Sequence, residues 1–131
     1  MSDIPNDLRY TRSHEWLRTL PNGHVEVGIT QHAQSSLGDL VFVELPQVGR
    51  VVSAGEACAV VESVKAASDI YSPVDGVIAA GNTAVAEAPE LVNRDPYAAG
   101  WLMRIEPRGG AASASLLSAS EYVQLLADDT H

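Results

Sequence analysis

The chain has 131 residues, a hydrophobic content of 46% and a formal net charge of −9 at pH 7. These values predict one soluble globular domain over residues 1–131. They argue against nucleic acid as a partner, because phosphate binding needs clustered cations. No apolar stretch is long enough to cross a bilayer, and residues 1–7 lack the apolar run of a signal peptide. We therefore expect a cytoplasmic protein.

Period-two alternation of apolar side chains marks several half-buried strands. Residues 24–30 are the clearest case, because Val25, Val27 and Ile29 share one face. Residues 40–45 are apolar apart from one glutamate, which is typical of a strand buried on both faces. Further strands are predicted at residues 50–52, 58–64, 68–71, 77–80 and 101–105.

Glycine, proline and asparagine fill the breaks between these runs, as turns require. Many short strands with regular turns are typical of a small sandwich or barrel. The predicted fold class is therefore mainly β, with the core of the domain at about residues 24–106.

Two segments are predicted to be helical. Residues 31–37 follow Thr30, a good N-cap residue, and end at Gly38, which suits a helix C-terminus. Ser118 and Glu121 form a capping-box pattern that begins a second helix, within a C-terminal helical segment at about residues 113–127.

In two other segments the apolar side chains recur with no clear period. Residues 109–115 are glycine, alanine and serine, a composition typical of a flexible joint. Residues 83–100 contain two prolines and predict a long ordered loop with one helical turn.

Lys65 is the only lysine, since the other seven basic residues are arginines. An arginine stays protonated and cannot be acylated, so a single lysine indicates a place where a group is attached. Predicted strands flank Lys65, which places it in an exposed turn at residues 64–67, at the tip of a hairpin. An ordinary lysine amine is almost fully protonated at neutral pH, so attachment needs a dedicated enzyme. Taken by itself, the site favours an ordinary solvated lysine over an attachment point.

The remaining reactive side chains have ordinary interpretations. Cys58 reads as a small strand residue, although an enzyme with Cys58 as nucleophile and a histidine base is an alternative. The histidines at positions 14, 24, 32 and 131 lack a paired metal-ligand spacing, so we predict no metal site. The two tryptophans, Trp16 and Trp101, are expected in the core or in the wall of a cleft.

Several sequence blocks resemble one known family in the same order along the chain. They are residues 10–17, 27–34, 37–45, 62–72, 89–93 and 96–101. Together they make the whole chain similar to the H-protein family of the glycine cleavage system, whose members carry lipoic acid. The resemblance implies a barrel-sandwich hybrid fold with peripheral helices.

The residues around the lysine resemble a lipoyl attachment site rather than a biotinyl one. Biotinyl domains flank the lysine with methionines, whereas Val64 and Ala66 stand here, and Glu62 fills the acidic position that lipoyl domains favour. Gly49 and Gly76 match glycines of such carriers, where they permit close backbone approach. By resemblance, the attachment site consists of Lys65 with Glu62, Ser63, Val64 and Ala66.

The resemblance implies a shuttle without catalytic residues of its own, with lipoic acid linked as an amide to Lys65. Its implied partners are glycine decarboxylase (P-protein), an aminomethyltransferase (T-protein), dihydrolipoamide dehydrogenase (L-protein), and a lipoyl ligase or octanoyltransferase. A lipoyl reservoir that donates the group to other 2-oxoacid dehydrogenase complexes is an alternative, and a biotinyl carrier is a more distant one.

The loaded arm of such a carrier bears a cationic amine, which carboxylates in a cleft could hold. Ser13, Glu15 and Asp69 are our candidates for this cleft, and His32 could border it. The alternative is that the carboxylates are ordinary surface charges and His32 a surface or packing residue.

Overall fold

The computed structural model describes residues 4–108 and 116–129. Within them the strands are β1 (Arg9–Tyr10), β2 (Glu15–Thr19), β3 (Val25–Ile29), β4 (Leu40–Glu44), β5 (Val51–Val52), β6 (Ala57–Ser63), β7 (Ala67–Tyr71), β8 (Gly76–Gly81) and β9 (Met103–Pro107). The helices are α1 (Gln31–Leu37), α2 (Thr83–Glu87), α3 (Glu90–Arg94) and α4 (Ala119–Asp129). None of these helices is long and apolar enough to cross a membrane.

The strands form two antiparallel sheets. One has six strands in the order β1-β2-β3-β9-β8-β5, and the other has three in the order β4-β6-β7. The main hydrophobic core takes side chains from both sheets, including Val27 and Ile105 from the larger and Val61 and Ile70 from the smaller. The two sheets therefore enclose a shared core, as the mainly β prediction requires.

The predicted strands are confirmed, with boundary shifts, and one burial pattern is wrong. The run at residues 40–45 is a strand, but Val41 and Phe42 are 56% and 47% exposed. A register shift between Leu40 and Phe42 interrupts the pairing with β6, and only Leu40 and Val43 of this strand are buried hydrophobics. The continuous apolar run thus reflects a bulged strand with one buried face. Strands β1 and β2 were not predicted.

Both predicted helices are present. In α1 the Thr30 hydroxyl accepts a hydrogen bond from the amide of Ala33, and Gly38 ends the helix at φ +85°. Before α4 the amide of Ser118 donates to the Glu121 carboxylate, and the Glu121 amide donates to the Ser118 hydroxyl. This reciprocal pair is the capping box that the sequence predicts.

The prediction of a long loop at residues 83–100 is wrong, because α2 and α3 lie there. Each helix has only five residues, too few to show a helical period. Asn82 caps α2 through its side chain, and Pro89 precedes α3. The predicted joint at residues 109–115 lies outside the described residues.

A second cluster fixes α4 to the outer side of the larger sheet. It contains Leu8, Tyr10, Trp16, Ala119 and Tyr122, all buried. The rings of Tyr10 and Tyr122 are stacked with centroids 4.7 Å apart. The C-terminal helix is thus an integral part of the fold in the region of β1 and β2.

The two glycines that match the carrier pattern have different structural roles. A Cβ on Gly76 would lie 2.4 Å from the carbonyl oxygen of Glu106, so β8 and β9 approach too closely for a side chain. Gly49 has open space around it but a φ of +95°, a conformation that favours glycine. Close approach, the predicted reason for both, therefore applies only to Gly76.

Candidate functional site

Lys65 lies in the turn between β6 and β7, with an exposed side chain. The amide of Ser63 donates to the carbonyl of Ala66 over 2.7 Å and closes the hairpin. The Ser63 hydroxyl oxygen also accepts from the amides of Lys65 at 3.2 Å and Ala66 at 3.1 Å. One serine therefore holds the backbone amides of Lys65 and Ala66, and Val64 beside the lysine is 75% exposed.

The side chain of Lys65 has room on the side that faces α1. A Cβ on Gly38 would lie 3.5 Å from Cε of Lys65, so the lysine stem passes over this glycine. In the described part of the chain, the ion pairs join Arg18 and Arg104 to Glu26, and Arg50 to Glu56. The Lys65 ammonium belongs to none of these pairs and faces solvent.

The other predicted attachment residues surround this tip. Glu62 is exposed and lies opposite Ala67 on one side and Phe42 on the other. Ser63, Val64 and Ala66 form the turn itself. The sheet β4-β6-β7 thus presents one amine at its end, with an acidic and an apolar side chain close by.

A cleft of about 420 Å³ lies between the loop before β2 and the end of β7. Glu15 is its only buried charged residue, with 1% of its surface exposed. Its Oε1 accepts hydrogen bonds from the hydroxyls of Ser13 at 2.6 Å and Thr11 at 2.5 Å. Its Oε2 accepts from the backbone amide of Tyr71 at 3.2 Å.

Burial raises the pKa of the Glu15 carboxyl above its ordinary value, and the hydrogen bonds from Ser13, Thr11 and Tyr71 oppose this shift. A cation in the cleft would stabilise the ionised form of this carboxyl. Such a cation would therefore lower the pKa of Glu15.

His14, which lies between Ser13 and Glu15, anchors the backbone at the start of β2. His14 adopts a φ of 72°, the only positive φ of a non-glycine residue in the described ranges. Its carbonyl accepts from the amide of Thr30 at 3.1 Å, and its Nδ1 lies 2.8 Å from the hydroxyl of Tyr122. The start of α1 and the buried side of α4 thus hold this backbone in place.

The structure does not bring all four predicted cleft residues together. Ser13 and Glu15 line the same cleft. Asp69 is exposed and lines a separate cavity with Glu44 and Arg50. The ring of His32 lies 4.8 Å from that of His14, outside the cleft lining.

Sequence reasoning missed Thr11 and Tyr71 in this cleft. Thr11 and Ser13 lie in a turn, in which the His14 amide donates to the Thr11 carbonyl, so strand alternation does not bring their hydroxyls to Glu15. Tyr71 reaches Glu15 through its backbone amide, and no side-chain pattern encodes that contact.

Cys58 is not placed to act as a nucleophile. Its Sγ is buried, 3.6 Å from the carbonyl of Ile70 and 3.5 Å from Sδ of Met103. Burial raises the pKa of the thiol to about 11. The thiolate is therefore strongly disfavoured, which contradicts the alternative of a cysteine enzyme. The described residues contain no group of three or more histidine, cysteine, aspartate or glutamate side chains that could hold a metal ion.

Comparisons with known proteins give a consistent result. Residues 8–129 match the family model described as glycine cleavage H-protein. The chain is 58% identical to the glycine cleavage system H protein of Halorhodospira halophila, over 98% of this chain and 99% of that protein. It is 59% identical to the protein of the same name from Azoarcus sp., over 98% of this chain and 100% of that one.

A solved structure shows the same fold. The crystal structure of a glycine cleavage system H protein from Mycobacterium marinum superimposes with a TM-score of 0.87 at 47% identity, covering 95% of this chain and 99% of that chain. The mainly β, barrel-sandwich fold predicted from the sequence is thus confirmed.

Proposed function

The chain belongs to the glycine cleavage H-protein family, the lipoyl-carrying shuttle subunits of the glycine cleavage system, and on this premise we propose that Lys65 is the residue that carries lipoic acid. The observation that supports this most directly is the position of the only lysine of the chain at the tip of an exposed hairpin. The whole of residues 1–131 then acts as one carrier domain.

The residues at the tip fit such a group. An amide on the Lys65 amine would extend into solvent from the turn that Ser63 fixes, and Gly38 leaves space beside the lysine stem. Acylation would also remove the only positive charge of the turn. When bound, the lipoyl group supplies a disulfide that accepts an aminomethyl group and electrons.

The residues of this chain provide position, exposure and a binding cleft rather than catalysis. Ser63 holds the hairpin tip in one backbone conformation, so the attachment point is fixed while the side chain beyond it is mobile. Glu15 and Ser13 bind the cationic amine in the cleft beside Tyr71. Asp69 and His32 lie outside this cleft, and we assign them no part in it.

The partners of this carrier are the other components of the glycine cleavage system. We assign these as glycine decarboxylase, an aminomethyltransferase and dihydrolipoamide dehydrogenase, with a lipoyl ligase or octanoyltransferase that modifies Lys65 in the cytoplasm. The net charge of −9 favours partner surfaces that are positively charged. No observation favours the alternative role as a lipoyl reservoir.

Intact-mass measurement tests the attachment site. The unmodified protein is incubated with a lipoate ligase, ATP and lipoate, and the modified residue is located by peptide mapping. We expect one lipoyl group on Lys65 and none on Lys65→Arg, which keeps the charge but not the nucleophilic amine. Lipoylation of Lys65→Arg, or a wild-type protein that stays unmodified, would overturn the assignment.

A second measurement tests the cleft. Glu15→Gln keeps the shape of the side chain and removes its charge, while Asp69→Asn makes the same change outside the cleft. Hydrolysis of the aminomethyl group, which releases ammonia and formaldehyde and leaves a free thiol, should be faster for Glu15→Gln and unchanged for Asp69→Asn. Equal rates for wild type and Glu15→Gln would refute the binding of the cationic amine by Glu15.

A further inference from the structure

The side chain of Asn93, in α3, makes three hydrogen bonds, one to α1 itself and two to the residues that follow α1. Its Nδ2 donates to the carbonyl of Gly38 at 2.8 Å and to Oε1 of Gln34 at 3.0 Å. Its Oδ1 accepts from the amide of Leu40 at 2.9 Å. One amide group thus fixes both ends of the short connection between α1 and β4.

This connection is hydrogen-bonded to the turn that carries Lys65. The carbonyl of Asp39 accepts from the amide of Val64 at 3.3 Å. Leu40 is the β4 partner of Ser63, the residue that holds the turn. The Gly38 backbone lies next to the Lys65 stem. Residues 38–40, which are the connection and the first residue of β4, therefore lie beside residues 63–65, which are the end of β6 and the start of the turn.

The position of Leu40 explains why a side chain is needed here. Strand β4 is at the edge of its sheet, and edge strands carry backbone groups that the sheet does not pair. The Asn93 amide supplies the partner for one such group, the amide of Leu40. Without it, that amide and the Gly38 carbonyl would bond to water, and the connection would sample more conformations.

We propose that Asn93 is a positioning residue for the acylation of Lys65, acting through the connection at residues 38–40. The inference rests on the proposed attachment at Lys65. In that step the neutral amine of Lys65 attacks the carbonyl of an acyl adenylate held by the ligase. An amide bond forms, the acyl–phosphate bond breaks, AMP leaves, and the amine nitrogen releases a proton to solvent.

The expected effect is on recognition rather than on the reactivity of the amine. If only a fraction of the acceptor protein has its tip correctly placed, the apparent affinity of the ligase falls in proportion to that fraction. Asn93→Ala should therefore raise the KM for the acceptor about fivefold or more and leave kcat close to wild type.

Asn82 provides a matched control. Its side chain also makes three hydrogen bonds, in this case all to backbone groups: it donates to the carbonyls of Ala99 at 2.9 Å and Trp101 at 2.7 Å, and it accepts from the amide of Ala84 at 3.2 Å. None of these groups touches the Lys65 turn. Asn82→Ala should destabilise the fold to a similar degree and leave the acceptor KM unchanged.

The test measures initial rates of acylation by a purified lipoate ligase against concentration of the unmodified acceptor, with intact mass as the readout. Wild type, Asn93→Ala and Asn82→Ala are compared, with Lys65→Arg as the blank. If Asn93→Ala fails to fold, Asn93→Asp replaces it, since it keeps the side-chain shape and removes both donors. A wild-type KM for the Asn93 variant, or an equal rise for Asn82→Ala, overturns the inference.

Hydrogen exchange by NMR gives a second readout that does not depend on the ligase. The Val64 amide, bonded to Asp39, should exchange about tenfold faster in Asn93→Ala and at the wild-type rate in Asn82→Ala. Unchanged exchange in Asn93→Ala refutes the coupling. Acylation of Lys65→Arg in the same assay would refute the attachment site instead, so the two failures are distinguishable.

Discussion

Removal of the Tyr122 hydroxyl tests whether α4 holds the loop of the cleft. The hydroxyl lies 2.8 Å from Oγ1 of Thr30 and 2.8 Å from Nδ1 of His14, on a fully buried side chain. Phenylalanine would remove both of these hydrogen bonds, while the Thr30 hydroxyl oxygen would keep its bond from the Ala33 amide. We expect Tyr122→Phe to lower the free energy of unfolding by about 1–2 kcal/mol.

Urea and thermal unfolding measure this loss, and the midpoint temperature should fall by about 3–8 °C. Burial raises the pKa of Tyr122 to about 12, so the hydroxyl stays protonated across the usable pH range. Tyr10→Phe is the matched control, because Tyr10 stacks on Tyr122 and is equally buried, but its hydroxyl donates to the carbonyl of Pro5.

The increase in backbone motion should be confined to the loop before β2 and to Thr30, which is bonded to it. The amides of His14 and Thr30, each bonded at 3.1 Å to a backbone carbonyl, should exchange with solvent faster in Tyr122→Phe than in Tyr10→Phe. A stability within about 0.5 kcal/mol of wild type, the range of ordinary surface substitutions, would refute the anchoring role of this hydroxyl. So would unchanged exchange at both amides.

Three further outcomes follow from the structure. Gly76→Ala should lower the free energy of unfolding by about 3 kcal/mol, because its Cβ would meet the Glu106 backbone. Gly49→Ala should lower it by only about 1–2 kcal/mol, because its backbone has a positive φ. Equal losses for the two variants in urea denaturation would contradict this. Burial raises the pKa of Glu15 on folding, so wild-type stability falls as pH rises above the ordinary value of 4.5. The stability of Glu15→Gln relative to wild type should therefore increase as the pH rises above 4.5, and a difference independent of pH would be inconsistent with a raised pKa of this carboxyl. Cys58 should react with iodoacetamide orders of magnitude more slowly in the native protein than in urea, because its Sγ is buried and its pKa is raised to about 11. Mass spectrometry of the alkylated protein measures the difference.

The parts of the fold that depend on local chemistry could be predicted from the sequence. Thr30 and Gly38 mark the ends of α1, and Ser118 with Glu121 marks the start of α4, because caps use side chains within a few residues. The alternation of apolar side chains likewise predicts the strands on either side of Lys65, because this pattern depends only on residues close in sequence.

The parts that depend on distant contacts could not be predicted. Whether Phe42 is exposed depends on a bulge against β6, and α2 and α3 are too short for a period to be detected. The cleft shows the same limit, since Glu15 is joined there by the backbone of Tyr71, 56 residues away. Asp69, only four residues from the lysine, points to a different cavity.

The isolated lysine on the hairpin has a practical consequence. Every other basic side chain is an arginine, so an amine-selective dye or linker used under conditions that spare the α-amino group would react at one point only. Molecules immobilised on a sensor chip in this way would share a single orientation, with the hairpin tip against the support. An enzyme that still binds such a surface must approach this protein from another side.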